Sequence, residues 1–258
     1  MATVVEDLAR AVVGEDRNPL SQCRRLIAWM YREFEWSASD YQHRTLDDIV
    51  ARRAGNCAEQ TRLLASLLSA LRMETRTMAE INIQPPRAER GQSAAQMAAQ
   101  QGPTASVFGY RHNDHRWLEV RDAGSGLWFP ADATLGVCGE QEWLAARMGF
   151  GPRPDAAQAM IVPLMVFVMD AARHVREDRT DHYVIALFHQ YVAATVQADA
   201  LLGEWARVVR MLAPAGQRAF EGQASFFPYG DQAQHALEVY RAIESRYRHA
   251  ASPGQPTS

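Results

Sequence analysis

The chain has 258 residues, of which 47% are hydrophobic and 22% charged, and its formal net charge is −3 at pH 7. This composition is typical of a globular protein, and the length suffices for one large domain or for a core with an extension. The slightly acidic balance, without basic runs or basic patches interleaved with aromatic residues, argues against nucleic-acid binding.

The cysteine count and the apolar runs exclude several further classes. Cys23, Cys57 and Cys138 lie far apart, which indicates neither a disulfide framework nor a structural zinc site. The amino-terminal residues lack the basic region and the long apolar core of a signal peptide. The longest apolar run, 160–169, is interrupted by Pro163 and is shorter than the roughly 20 residues that span a bilayer. We therefore expect a soluble cytoplasmic protein with no membrane partner.

The first third of the chain reads as helices. A short helix is expected over 3–13, and Asn18-Pro19 starts a second one, whose apolar stripe includes Cys23 as an inert core thiol. Thr45 and Asp48 resemble a capping box and open a short helix that ends near residue 53.

The segment Gly55-Asn56-Cys57-Ala58-Glu59-Gln60 places a cysteine between a glycine turn and a strongly helical run. Leucines recur at helical spacing as far as Leu71, so Cys57 is expected in the first turn of a buried amphipathic helix. The unpaired N–H groups and the positive dipole end at such a position stabilise a thiolate. Cys57 is therefore a candidate nucleophile.

Strands are expected next, over about 75–83, 106–111, 115–121 and 127–132. The segment 85–103 between the first two is rich in Ala, Gln, Arg and Glu, and it is interpreted as a long loop with one weak helix near 93–101. Such a loop is either a surface insertion or a lid over a site.

The second half of the chain has a different character. Residues 160–169 and part of 182–187 are each candidates for a further strand, and helices are expected over about 191–212 and 231–249. We therefore divide the chain into a core (1–154), a mainly helical extension packed on it (155–250) and a disordered tail (251–258).

The strands around residue 120 form a predicted hairpin that pairs a histidine with an aspartate. If Val120 lies opposite Leu127, then His115 lies directly opposite Asp132 and on the same face. A histidine near Cys57 can take its proton and later protonate a leaving group. An aspartate on the other ring nitrogen fixes the tautomer and stabilises the imidazolium.

The oxyanion of a tetrahedral intermediate would also need hydrogen-bond donors. The backbone N–H of Cys57 is one candidate, and side chains of Asn56, Gln60 and Trp36 are further candidates, with Trp117 as a possible substrate contact. On spacing alone, a structural cysteine and a structural His–Asp bond remain alternatives.

The sequence also contains residues that are typical of metal sites. His112, Asp114 and His115 cluster near Cys138 in sequence, but His112 and His115 point to opposite faces of a strand. We expect no metal and no cofactor.

Three blocks of the sequence resemble the signature blocks of the transglutaminase-like superfamily. They are Gly55-Asn56-Cys57-Ala58-Glu59, His115-Arg116-Trp117-Leu118-Glu119-Val120 and Trp128-Phe129-Pro130-Ala131-Asp132-Ala133-Thr134, within a resemblance that covers roughly 20–140. The resemblance implies a papain-like α+β core, in which the nucleophile helix packs on an antiparallel sheet. It also implies Cys57 as nucleophile, His115 as base and Asp132 as the orienting acid.

The resemblance implies a reaction type but leaves the substrate open. Members of this superfamily act on amide or thioester carbonyls through a cysteine acyl-enzyme, in hydrolysis or in amide formation. The expected partner is a peptide or small-molecule acyl substrate, free or bound to a carrier. The absence of an Asp-x-Asp-x-Asp pattern argues against a calcium-switched enzyme. The alternative is a binding or scaffold protein that keeps the fold without catalysis.

Overall fold

The structure is a computed structural model, and it describes residues 4–37, 44–83, 115–148, 162–172, 174–221, 223 and 231–251. Helices and one antiparallel sheet make up these residues, which confirms the predicted α+β class. The expected loop 85–103, the strand expected over 106–111, His112, Asp114 and the tail after Ala251 lie outside the described residues. No helix within the described ranges combines the length and the apolar character needed to cross a membrane.

Four helices precede the sheet: α1 (Val4–Val13), α2 (Pro19–Glu33), α3 (Leu46–Arg52) and α4 (Cys57–Ala70). Local capping explains where three of them begin. The Asn18 side chain accepts a hydrogen bond from the Ser21 N–H, and Pro19 follows at the first helical position. Thr45 forms the expected capping box with Asp48. A capping box also defines the start of α4, and it positions Cys57.

Six of the described strands form one sheet in the order β6-β5-β4-β3-β7-β8, with every neighbouring pair antiparallel. The strands are β3 (Thr75–Ile83), β4 (His115–Arg121), β5 (Trp128–Asp132), β6 (Val137–Cys138), β7 (Val162–Met169) and β8 (Val175–Asp178). A separate short parallel pair, β1 (Glu35–Trp36) and β2 (Ala54–Gly55), leads into α4.

The remaining helices are α5 (Glu140–Arg147), α6 (Phe188–Ala193), α7 (Asp199–Phe220) and α8 (Asp231–Ala251). The strand considered for part of 182–187 is wrong, because this segment is a π-helix, Asp181–Leu187, that continues into α6. Its Tyr183, Val184, Ile185 and Leu187 are buried against the sheet and the later helices, so helical packing satisfies the apolar run.

Two hydrophobic cores cover the two faces of the sheet. Leu118 and Val120 of β4 join one core with the leucines of α4 and with α1 and α2. Trp117, on the opposite face of β4, belongs to the other core with β7 and the C-terminal helices. Because both faces are covered, the polar side chains of His115 and Glu119 on β4 are buried.

The hairpin of β4 and β5 forms in a register that differs by two residues from the predicted one. Val120 lies opposite Phe129 and not opposite Leu127, so the placement of His115 directly opposite Asp132 is wrong. Side chains alternate between faces with a period of two, and a shift of two residues keeps each one on its face. His115 and Asp132 therefore still share a face as diagonal neighbours.

The turn explains this difference in register. Asp122 closes it by donating its N–H to the Leu127 carbonyl, and its carboxylate accepts hydrogen bonds from the N–H groups of Gly124 and Ser125. Gly126 adopts a left-handed conformation, with φ of 72°. These contacts stabilise a four-residue turn, whereas the predicted register requires a two-residue turn.

The turn that follows Asp132 should be sensitive to side-chain volume at Gly136. Gly136 has φ of 71°, and a Cβ there would lie 2.8 Å from Cγ of Tyr31. Gly126 has almost the same φ, but a Cβ there would meet nothing within 4 Å. Gly126→Ala should cost about 1 kcal/mol from the left-handed backbone alone. Gly136→Ala should cost about 3 kcal/mol because the contact with Tyr31 adds to that strain.

The measurement is urea unfolding of both variants beside the unchanged protein. Equal losses in the free energy of unfolding would contradict the close approach of α2 to this turn.

Candidate active site

Cys57 is the first residue of α4, as the sequence predicts. Asn56 and Glu59 form a capping box: the Asn56 side chain accepts from the Glu59 N–H, and the Glu59 carboxylate accepts from the Asn56 N–H. Arg44 binds both carboxylate oxygens of Glu59, at 2.7 and 2.9 Å. This buried cation neutralises the carboxylate that lies two residues from Cys57, so a thiolate there meets less repulsion.

The first turn of α4 is attached to the start of β4. The Thr61 hydroxyl donates to the Arg116 carbonyl at 2.9 Å. Cys57 is 4% exposed and is hydrogen bonded to His115 and to the Arg116 backbone N–H. Burial opposes ionisation of Cys57, but the hydrogen bond and the charge of His115, together with Arg116, lower the pKa of its thiol below the ordinary value.

Asp132, at the end of β5, binds the other side of the His115 ring. His115 Nε2 lies 2.6 Å from Asp132 Oδ2, and the two side chains are 9% and 1% exposed. Nδ1 is then the ring nitrogen that remains for Cys57. The second carboxylate oxygen of Asp132 accepts from the N–H groups of Thr134 and Leu135, at 2.9 and 3.2 Å. The turn after β5 thus fixes the orientation of the carboxylate.

These contacts favour a charged histidine. Burial lowers the pKa of His115, but the Asp132 carboxylate and the hydrogen bonds to Asp132 and Cys57 outweigh it and raise the pKa to about 10. With the pKa of Cys57 lowered, the pair can exist as thiolate and imidazolium at neutral pH. Such a pair holds a nucleophile and a proton donor in contact, as nucleophilic catalysis by cysteine requires.

Three of the other four candidate residues are engaged in contacts within the protein. The Gln60 amide donates to the carbonyls of Gly55 and Glu35, and the Asn56 side chain caps α4. Trp117 is fully buried against Trp143 and Tyr183. Trp36 is 55% exposed on β1. Their predicted roles at an oxyanion or a substrate therefore stay predictions.

Cys23 and Cys138 form a separate pair of thiols. Both are buried, and their sulfur atoms lie 3.8 Å apart. The hydrogen bond to Cys138 and burial raise the pKa of Cys23 well above its ordinary value, so it should react far more slowly than Cys57.

Two charged residues beside this site were missed in the sequence. Glu80 and Arg147 are both buried and form an ion pair next to His115. Glu80 stands in the apolar strand Met78-Ala79-Glu80-Ile81, and a charge in such a run indicates a buried partner. That signal was available, but nothing in the sequence near Arg147 shows that it is the partner.

Within the described ranges, no group of three or more His, Cys, Asp or Glu side chains could hold a metal ion.

Several solved structures are similar to this chain, at low identity. A proposed cysteine protease from Cytophaga hutchinsonii shares 21% identity, with 52% of this chain and 37% of that chain covered and a TM-score of 0.36. A proposed protease from Parabacteroides distasonis ATCC 8503 shares 11%, with 64% and 25% covered and a TM-score of 0.39. Rad4–Rad23 bound to a 6-4 photoproduct UV lesion shares 14%, with 98% and 55% covered and a TM-score of 0.38. This chain thus spans less than two thirds of the length of each.

No curated protein matches the sequence significantly. The family model of the transglutaminase-like superfamily matches residues 6–133, a range that contains Cys57, His115 and Asp132. Over residues 6–133, this chain therefore belongs to the transglutaminase-like superfamily.

Proposed function

We propose that this chain is a cysteine enzyme that transfers an acyl group from an amide or thioester through a Cys57 thioester. The observation that carries the proposal is the buried hydrogen-bonded series Cys57–His115–Asp132 at the start of α4. Membership of the transglutaminase-like superfamily supports it. In this proposal Cys57 is the nucleophile, His115 is the general acid and base, and Asp132 orients His115.

Acylation would begin from the ion pair. The Cys57 thiolate attacks the carbonyl carbon, and the carbonyl oxygen takes up the negative charge. When the tetrahedral intermediate collapses, the carbon–nitrogen or carbon–sulfur bond breaks. His115 gives its proton to the leaving amine or thiol. Asp132 stabilises the imidazolium until that transfer.

The start of α4 offers stabilisation for the oxyanion. The first N–H groups of a helix have no carbonyl partner one turn earlier, and the helix dipole places partial positive charge there. Cys57 is the first residue of α4, so its own backbone N–H is available to the carbonyl oxygen that its sulfur attacks.

Deacylation would reverse the proton transfer. After the leaving group has departed, neutral His115 takes a proton from water or from an amine, which attacks the thioester carbon. The bond between that carbon and the Cys57 sulfur then breaks, which restores the thiolate beside the imidazolium. Water gives hydrolysis, and an amine gives a new amide. The proposed substrate is a peptide or a small acyl molecule, free or attached to a carrier.

Cys57 should form a covalent adduct with activated acyl donors. Incubation with small acyl thioesters, followed by intact-mass measurement, should show one added acyl group. After trypsin digestion the group should lie on residues 54–62, the peptide that contains Cys57. Cys57→Ala should abolish the adduct, because the buried Cys23 and Cys138 lack the activating histidine.

Cys23→Ala is the matched control and should acylate like the unchanged protein. Acylation that persists in Cys57→Ala and disappears in Cys23→Ala would refute the proposed nucleophile. A scaffold protein without catalysis would form no adduct at Cys57.

Asp132→Asn should slow the reaction of Cys57 without removing it. An amide can keep the turn contacts to Thr134 and Leu135 but loses the charge that stabilises imidazolium. We expect the rate of Cys57 alkylation by iodoacetamide at pH 7 to fall by about tenfold or more, because one pKa unit corresponds to a factor of ten.

Asp132→Ala should show the same kinetic loss and, in addition, a lower free energy of unfolding, because it also removes the turn contacts. A rate of alkylation unchanged in Asp132→Asn would contradict the orienting role.

A further inference from the structure

A buried carboxylate lies directly opposite His115 on the neighbouring strand. Glu80 of β3 is the direct cross-strand partner of His115 and is fully buried. Direct partners in an antiparallel pair point to the same face, with Cβ atoms about 5 Å apart. A lone anion in this position would bind the imidazolium of His115 in competition with Asp132.

Arg147, the last residue of α5, neutralises that carboxylate. It is 6% exposed, and its Nε lies 3.2 and 3.1 Å from the two carboxylate oxygens of Glu80. Its Nη2 also binds Glu80 and lies 3.3 Å from Asn82 Oδ1. Removing two charges from water costs free energy that their attraction repays only with good geometry. Stability alone therefore does not explain why an ion pair is buried at this place.

The charge of Arg147 reaches the residues of the candidate active site. Burial and the Arg147 charge lower the pKa of His115, while Asp132 raises it. Arg147 in turn interacts with Asp132 and with Cys57. In the part of the chain that the structure describes, ionisable groups face this site from five elements besides His115 itself: Cys57 and the Arg44-paired Glu59 on α4, Glu80 on β3, Arg116 on β4, Asp132 on β5 and Arg147 on α5.

We propose that Glu80 and Arg147 are positioning residues for this centre. Arg147 cancels the negative charge that Glu80 sets opposite His115, so the ring stays with Asp132 and Cys57. The guanidinium also supports the two anions, the Cys57 thiolate and the Asp132 carboxylate. This inference rests on the proposed function and adds an electrostatic role for residues outside the three reacting groups.

The proposal predicts that replacing Arg147 and replacing Glu80 shift the ionisation of Cys57 in opposite directions. Arg147→Met removes a cation near Cys57 and leaves Glu80 uncompensated, so the thiolate is less stable. Glu80→Gln removes the anion, keeps nearly the same volume and leaves Arg147 uncompensated, so the thiolate is more stable. A purely structural pair would lower the stability in both variants without moving the ionisation of Cys57 in opposite directions.

The experiment measures the rate of iodoacetamide alkylation of Cys57 as a function of pH, followed by mass spectrometry of the peptide 54–62. The midpoint of the rise in rate reports thiolate formation. It should move up by about one pH unit in Arg147→Met and down by about one in Glu80→Gln, as expected for one charge at short range in a partly shielded site. The double variant Glu80→Gln/Arg147→Met should return close to the unchanged protein.

The chain offers a matched control in the same pair of strands. Arg76 and Glu119 are also direct cross-strand partners, with Nε 2.5 Å from Oε2, and they lie four residues farther along the strands. Four residues of strand span about 13 Å. Arg76→Met should therefore lower stability and leave the midpoint of Cys57 alkylation in place.

The outcomes separate this inference from the proposed function. A midpoint in the unchanged protein near 8.5, the value of a free cysteine, would refute the activated Cys57 itself. A midpoint below that value, with no shift or with shifts of the same sign in the two variants, would overturn only the role of Glu80 and Arg147. If Arg147→Met does not fold, the downward shift in the nearly isosteric Glu80→Gln decides the question.

Discussion

The hydrogen bond between His115 Nε2 and Asp132 Oδ2 is the contact on which the rest of the site depends. It occupies one ring nitrogen and so leaves the other to Cys57. Its carboxylate keeps the buried imidazole basic, with a pKa near 10, although burial alone would favour the neutral ring. The lowered pKa of Cys57 follows from the charge that His115 carries as a result.

Separate parts of the chain hold this contact in place. A capping box fixes the start of α4, and the turn after β5 fixes the Asp132 carboxylate through two backbone N–H groups. Glu80, on the neighbouring strand, lies beside the histidine and pairs with Arg147 of α5. Charged groups are costly to bury one at a time, and the charged groups of this site lie in oppositely charged pairs. Under the proposed function, such a preorganised site needs little rearrangement for proton transfer.

Much of this arrangement follows from local sequence patterns. The glycine turn and the leucine spacing were enough to place Cys57 at the start of a helix. The alternation of β4 and β5 was enough to place His115 and Asp132 on one face, even though the register was wrong by two residues. The likeness expected over roughly 20–140 agrees with the family match over 6–133.

Two of the three features that the sequence did not predict depend on contacts between residues far apart in the chain, and the third depends on a local turn. Glu80 and Arg147 are 67 positions apart, and only the folded sheet brings them together. The hairpin register depended on how the Asp122 carboxylate organises a four-residue turn. The segment 182–187 has enough apolar residues for a strand, but packing against the C-terminal helices makes it helical. Apolar content alone does not separate these two outcomes.

The most direct test of the account is an NMR titration of the His115 ring, assigned by comparison with a His115→Gln variant. The account predicts that the imidazolium of the unchanged protein persists to a pKa near 10, and that Cys57→Ala lowers that value because a supporting hydrogen bond is lost. A ring that titrates near the ordinary histidine value of about 6.5, with no change in Cys57→Ala, would contradict the thiolate–imidazolium pair.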